Sequence, residues 1–367
     1  MNENADVRTY SLQASGTGRM FWLFGAEDAH ALPEGYLPDH GIEGDLEGLV
    51  VVPEGLMPSP GFRTGRYITP VIEASPFDWL VPWWNADIAG EGSLEVFLQT
   101  ETEGIWTEWY SLGLWSSRPA TASRTGESVR VDTDTLVLSA ACSRYRMKLV
   151  LSTGSGGTGM VLLRRAGVVS RMKSSPRTLP RTHFLRECMV EMPAVSQMTE
   201  HASIRDRICS PACVSMALHL HGTALPLPFV AADCYDHGAE IYGNWAFNVA
   251  TLWKHGVQAR IDYFHSMEEA AGELLSGNPL VASIRFEVGE LSGSPIPRTN
   301  GHLVLLCGLR RRGNGSWQVM VQDPAAAAKG EVQRLYDLAE FDRAWTGVAY
   351  VVEGPRAKYR WRASRKK

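Results

Sequence analysis

From about residue 15 to about residue 170 the apolar side chains recur at every second position, and no long stretch repeats at the helical period of 3.6. In "YRMKLVLS" the residues Tyr145, Met147, Leu149 and Leu151 share one face, and Arg146 and Lys148 share the other. "SLEVFLQTE" alternates in the same way. A chain with this period cannot bury its apolar face as a helix. It must pleat and lay one side on a core. The turn clusters "AGEGS", "SSRPATASRTGES" and "STGSGGTG" cut the run into short strands. This predicts an antiparallel β-sandwich, jelly-roll-like, over residues 15–171.

The pattern then changes. "MKSSPRTLPRT", residues 172–182, is basic, contains proline and has no apolar period, as an interdomain linker does. Beyond it "SPACVSMALHLHG" predicts a helix ending at Gly222, and "NWAFNVATLWKHG" a second ending at Gly256. "SMEEAAGELLSG" predicts a third, capped by Ser266 and ended by Gly277. The strands "PLVASIRFEV", "HLVLLCGL" and "WQVMVQDP" follow. Helices and then strands predict an α+β domain over 183–353. Residues 354–367, "GPRAKYRWRASRKK", form a basic tail.

Composition narrows the function. The 367 residues leave room for two domains, and a formal net charge of −4 gives no reason to expect nucleic acid as a partner. No apolar run approaches the roughly 20 residues that span a bilayer. The start, "MNENADVRTYSLQASG", shows no basic segment followed by an apolar one, so no signal peptide is visible. Six cysteines are too few for a disulfide scaffold of this length. The default expectation is a cytoplasmic protein, or a secreted one if a leader was removed.

The candidate chemistry starts at "RICSPACVSM". Pro211 suits the first turn of a helix, which puts Cys209 at the helix start. There the helix dipole and unpaired N–H groups favour a thiolate. Cys213 lies one turn further in, on the apolar stripe with Met216 and Leu220, as a small core residue. A thiolate needs a base, and His302 opens the strand "HLVLLCGL". The turn "RRRGNGS" folds this strand back on "WQVMVQD", so the hairpin brings Asp323 close to His302. An acid beside a histidine fixes its tautomer and stabilises its charged form. Cys, His and Asp are the parts of a cysteine hydrolase. The same Cys209 and Cys213 have a spacing that would suit zinc, but no second close Cys/His pair accompanies them, and His219 and His221 do not share a helix face. No metal or organic cofactor is implied. "STGSGGTG" lacks the Lys-Ser/Thr of a phosphate loop and is a turn.

The motifs "SQMT", "CSPACVSM", "NGHLVLLCG" and "QDPA", with "YGNWAFN" and "VQRLYDLAEFDRAW", resemble the papain-like cysteine peptidases of the bacteriocin-processing, double-glycine type, in their stand-alone bacterial form. The resemblance covers residues 191–352. It implies a papain-like fold with Cys209 as nucleophile, His302 as general base and then acid, and Asp323 as the orienting carboxylate. It also implies that Gln197 forms the oxyanion hole with the Cys209 N–H. The chain departs from the family in spacing: Gln197 lies twelve residues before Cys209, through the insert "TEHASIRDR". Asn300, Gly301 and Trp245 are the expected substrate-binding residues. A peptide or protein substrate follows, hydrolysed through a thioester acyl-enzyme. "GRYITPVIEASPFDWLVPWWNAD" and "GIWTEWYSLGLWSS" resemble a β-sandwich module that precedes such domains. Two alternatives stay open at this stage. One is acyl transfer on the same triad, as in a transglutaminase or a peptidoglycan amidase. The other is a catalytically idle protein whose tryptophan-rich β-sandwich binds a glycan or a protein.

Overall fold

A computed structural model describes residues 44–174, 177, 180, 182 and 185–354, together with the strands Tyr10–Ser11 and Arg19–Leu23. The sequence-predicted tail beyond Gly354 and most of the predicted linker lie outside these residues. The helices among them are α1 (Cys209–Leu220), α2 (Leu227–Cys234), α3 (Trp245–Lys254), α4 (Met267–Ser276) and α5 (Leu338–Ala344). Nine strands carry the argument: β1 (Ile72–Ala89), β2 (Ser93–Thr102), β3 (Thr135–Ser152), β4 (Met160–Arg171), β5 (Leu280–Phe286), β6 (Thr299–Arg311), β7 (Trp317–Gln322), β8 (Gln333–Asp337) and β9 (Trp345–Val352). The chain forms two compact units. The first takes in the described residues up to 174 and also Ala231–Tyr263; the second runs from Arg177 to Val230 and on from Phe264.

The first unit is built on antiparallel strands. β4 pairs along β1 from Met160↔Ala89 to Arg171↔Trp79, and β3 pairs along β2 from Arg144↔Glu101 to Ser152↔Ser93. The alternation read from the sequence is the burial observed: Tyr145, Met147, Leu149 and Leu151 lie in the core, and Arg146 and Lys148 are half-buried on the other face. β1 behaves differently. Trp79, Leu80, Val81, Trp83, Trp84, Asn85 and Ala86 are all buried, so this strand is covered on both faces and loses its alternation. Part of the cover comes from the returning segment. Phe247, Ala246 and Ala250 of α3 join the core that holds Leu80 and Trp84, and the Trp245 ring packs on Trp79 at 6.1 Å between centroids.

Two buried carboxylates fasten this segment. Asp236 is wholly buried, and both its oxygens are saturated by donors. Oδ1 accepts from the N–H groups of Thr121 (2.9 Å), Gly238 (2.9 Å) and Ala239 (3.0 Å). Oδ2 accepts from Asn244 Nδ2 at 2.9 Å and from the Thr121 hydroxyl. Asn244 in turn caps α3, its Oδ1 accepting from the Phe247 N–H at 3.0 Å. Gly238 comes so close to Thr121 that a Cβ there would lie 1.8 Å from the Thr121 carbonyl oxygen. Asp134 accepts the Trp245 N–H at the start of α3 at 2.5 Å, and burial pushes its carboxyl up to about 6 against that bond.

The second unit carries an antiparallel sheet in the order β9-β5-β6-β7-β8. α1 packs on β6 through a face that includes Cys213, Ala217 and Val214, all fully buried. The predicted caps of α4 are in place: the Ser266 hydroxyl accepts from the Glu269 N–H, and Gly277 is left-handed at φ +86°.

One residue of the predicted linker is docked rather than solvated. Arg177 donates through Nη1 to the carbonyls of Asp342 (2.8 Å) and Trp345 (3.2 Å), and its Nη2 lies 2.8 Å from Asp342 Oδ1. Its guanidinium stacks over the Trp345 ring at 4.3 Å. Arg177→Ala is expected to destabilise the second unit by roughly 2–4 kcal/mol, because the guanidinium vanishes and the buried Asp342 carboxylate stays behind without its counter-charge. A urea titration checks this; a midpoint equal to wild type contradicts it.

Candidate active site

Cys209 is the first residue of α1, and the residue before it, Ile208, has no side chain able to cap. The first turn therefore keeps its N–H groups for other acceptors, and Pro211 has none to offer. Cys209 is partly exposed and Cys213 is wholly buried, so only the first thiol meets solvent. Burial raises the Cys209 thiol, but the hydrogen bond and charge of His302, with the backbone N–H groups of Leu303 and Ser210, outweigh it and hold it below its ordinary value. Burial pushes Cys213 well above its own, and its Sγ donates to the Leu303 carbonyl at 3.4 Å.

His302 sits on β6 opposite Ile284 and is 4% exposed. Its Nε2 lies 2.8 Å from Asp323 Oδ1, which leaves Nδ1 as the ring nitrogen for the Cys209 thiol. Burial alone would lower its pKa; the charge of Asp323 and its hydrogen bond reverse this and raise it to about 10. Burial likewise opposes ionisation of Asp323, and the His302 charge and the hydrogen bonds of His302, Tyr336 and Ala325 hold it below the usual carboxylate range. The three groups form one line of thiol, imidazole and carboxylate. Such a line can carry a thiolate–imidazolium pair and pass a proton along it.

The way Asp323 reaches His302 differs in detail from the expected hairpin. A turn centred at residues 312–313 sets the two opposite each other. The observed turn closes with Arg312 N–H to the Ser316 carbonyl at 2.7 Å, and the register is Leu305↔Gln322, with an irregularity between Leu306 and Gly308. Asp323 is the first residue beyond β7, its N–H bonded to the Val332 carbonyl at 2.7 Å, and it meets His302 along the strand direction rather than straight across.

Gln197 is buried, in a single turn of 3-10 helix, Gln197–Thr199. Its N–H donates to the carbonyl of Pro324, the residue after Asp323, at 2.9 Å. Its Nε2 donates to the Arg205 carbonyl at 2.5 Å, which folds the insert back on itself. The amide keeps a second N–H for another acceptor. Asn300 and Gly301 are exposed beside His302; the Asn300 carbonyl accepts from Arg285 Nε at 3.2 Å. A Cβ at Gly301 would meet nothing within 4 Å. Trp245 is half-buried in the first unit, on Trp79.

Sequence reasoning missed Tyr336. Its hydroxyl donates to Asp323 Oδ2 at 2.7 Å from β8, where it pairs with Val319. "QRLYD" has no strong period, and nothing local points a tyrosine at a distant aspartate. Among the described residues no group of three or more His, Cys, Asp or Glu is arranged to hold a metal. No helix among them is long and apolar enough to cross a membrane.

Comparison with known proteins agrees with the motifs. Residues 189–352 match the Peptidase_C39 like family, and residues 53–171 match the Peptidase C39 N-terminal domain. No curated protein matches the chain. Among solved structures, a C39-like peptidase from Bacillus anthracis is 16% identical at a TM-score of 0.34, over 47% of this chain and 100% of that one. The peptidase domain of Streptococcus ComA, a bi-functional ABC transporter of a quorum-sensing pathway, is 14% identical at 0.32, over 45% of this chain and 100% of that one. Such scores carry no weight on their own, and the two family matches do: residues 189–352 are a C39-like cysteine peptidase region, and residues 53–171 match the N-terminal domain of such peptidases.

Proposed function

We propose that the chain cleaves peptide bonds with Cys209 as nucleophile, His302 as proton carrier, Asp323 as the carboxylate that orients it, and Gln197 as oxyanion donor with the Cys209 N–H. One observation carries the reading: a partly exposed thiol at a helix start faces an imidazole whose other nitrogen is held 2.8 Å from a buried carboxylate. The thiolate attacks the carbonyl carbon, and the π pair moves to oxygen, where the two N–H donors meet it. The oxyanion collapses, the C–N bond breaks, and the imidazolium gives its proton to the leaving amine. Water then attacks the thioester while His302 takes its proton, and the acid and the thiolate are released. The domain is read as papain-like and takes in residues 183–353, with 172–182 as its linker.

Asn300 and Gly301 are proposed to line the bound peptide, because they flank His302 on the exposed edge and Gly301 leaves open space there. Trp245 is kept in the proposal as a substrate-binding residue. We read the first unit, residues 15–171, as a β-sandwich. A glycan platform on it is less well supported. Trp79, Trp83, Trp84 and Trp115 are buried, and the half-buried Trp106 and Trp109 are covered by Arg146 at 4.5 and 5.3 Å, with Lys148 over Trp109 at 4.7 Å.

Iodoacetamide alkylation across pH, mapped by mass spectrometry, tests the core of this reading. Cys209 is expected to react fast well below pH ~8.5, where an ordinary thiol is half-ionised, while Cys213 stays unlabelled in the folded protein. Equal rates at the two cysteines would remove the activated thiolate.

A further inference from the structure

We infer that Tyr336 is a positioning residue of this site, its hydroxyl holding the Asp323 carboxylate in the orientation that serves His302. This rests on the Cys209–His302–Asp323 reading above and adds a member to it.

Asp323 is wholly buried, and its two oxygens are divided between different partners. Oδ1 takes His302 Nε2 at 2.8 Å and the Ala325 N–H at 3.0 Å; Oδ2 takes the Tyr336 hydroxyl at 2.7 Å. An ionised carboxylate only accepts, and a tyrosine has one proton. The Tyr336 proton therefore goes to Asp323. The two side-chain donors to Asp323, the Tyr336 hydroxyl and His302 Nε2–H, are thus assigned by valence alone. The Tyr336 ring is itself wholly buried and stacks on Phe341, with centroids 6.3 Å apart and planes at 14°. The phenol cannot turn away without breaking that packing. Remove it, and the carboxylate has a buried oxygen without a donor and is free to rotate about its terminal torsion.

The charged and titratable groups around this carboxylate are His302 from β6, Cys209 and Cys213 from α1, and Tyr336 from β8 with Arg334 beside it. His302 is the strongest of them, and Tyr336 adds to the same effect, helping keep the carboxylate charged against its burial. Loss of the phenol raises the pH at which Asp323 takes up a proton. Below that pH the imidazolium loses its counter-charge, and the Cys209 thiolate goes with it. The three groups titrate as one set, so the effect is read on the sulfur.

The test uses the full chain and iodoacetamide, with the rate at Cys209 followed from about pH 2.5 to about pH 9. In Tyr336→Phe the acid limb is expected about one pH unit higher, the size of losing one charge-assisted hydrogen bond, with the plateau rate within about threefold of wild type. Phe341→Leu serves as the structural control: a lower melting temperature with the wild-type limb. A Tyr336→Phe limb that superimposes on wild type overturns the inference, as does a Phe341→Leu limb that moves as far. His302→Ala separates this from the parent reading. If that variant slows Cys209 while Tyr336→Phe changes nothing, only the role of Tyr336 falls. If it leaves Cys209 unchanged, the parent reading falls and this inference with it.

Discussion

Cys209→Ala is expected to lower kcat/KM for peptide hydrolysis about ten-thousandfold, and His302→Ala by roughly a thousandfold or more. The two residues act as a unit, so the double variant is expected to be little worse than either single one. The reasoning is chemical. Alanine at 209 removes the only group in the site that can form the thioester. Alanine at 302 leaves a thiol without the imidazolium that holds it below its ordinary pKa, and the leaving amine without its proton donor. Cys209→Ala should not unfold the chain: Cys209 is partly exposed, and its side chain does not belong to the buried apolar core. Incubation with a mixed peptide library, with products identified by mass spectrometry, gives the readout. A Cys209→Ala protein that keeps more than a tenth of wild-type hydrolysis would move the chemistry elsewhere. Cys209→Ser is a second check. A hydroxyl in this environment stays protonated, so its rate is expected near that of the alanine variant.

The largest effect on stability is expected at Asp236. Asp236→Ala leaves three backbone N–H groups, a hydroxyl and the Asn244 amide without their acceptor inside the protein, at a cost of roughly 3–5 kcal/mol. Asp236 holds 235–244 against Thr121, and Asn244 both donates to it and caps α3. The loss should therefore spread to α3 and to the Phe247 packing in the β-rich core. Melting followed by tryptophan fluorescence checks this, because Trp84 and Trp115 lie against Phe247. A transition within a degree of wild type would mean that water or a rearranged loop replaces the carboxylate.

The site was legible in the sequence as far as local rules reach. A cysteine before proline at the start of an apolar helical stripe marks a helix N-terminus, and α1 begins at Cys209. A histidine and an aspartate at the two ends of a hairpin will meet, and His302 and Asp323 do. Their manner of meeting was not legible. The turn is centred near residue 314 rather than at 312–313, and a ladder irregularity shifts the register, so side-chain reach rather than direct opposition makes the contact. Gln197 was placed by resemblance, and only the fold shows it buried with its amide on the Arg205 carbonyl.

What the sequence by itself determined is periodicity and its interruptions: the alternation over residues 145–152, the caps Ser266 and Gly277, and the helix that presents Cys209. These follow from torsions and one-sided burial within a few residues of each other. The tertiary structure decided the rest: that 231–263 returns to the first unit and covers β1, that Arg177 of the linker stretch docks on Asp342, and that Tyr336 points at Asp323. Each of these joins groups far apart in the chain, and such partners are chosen by shape and by which buried donor lacks an acceptor, neither of which leaves a period in the sequence.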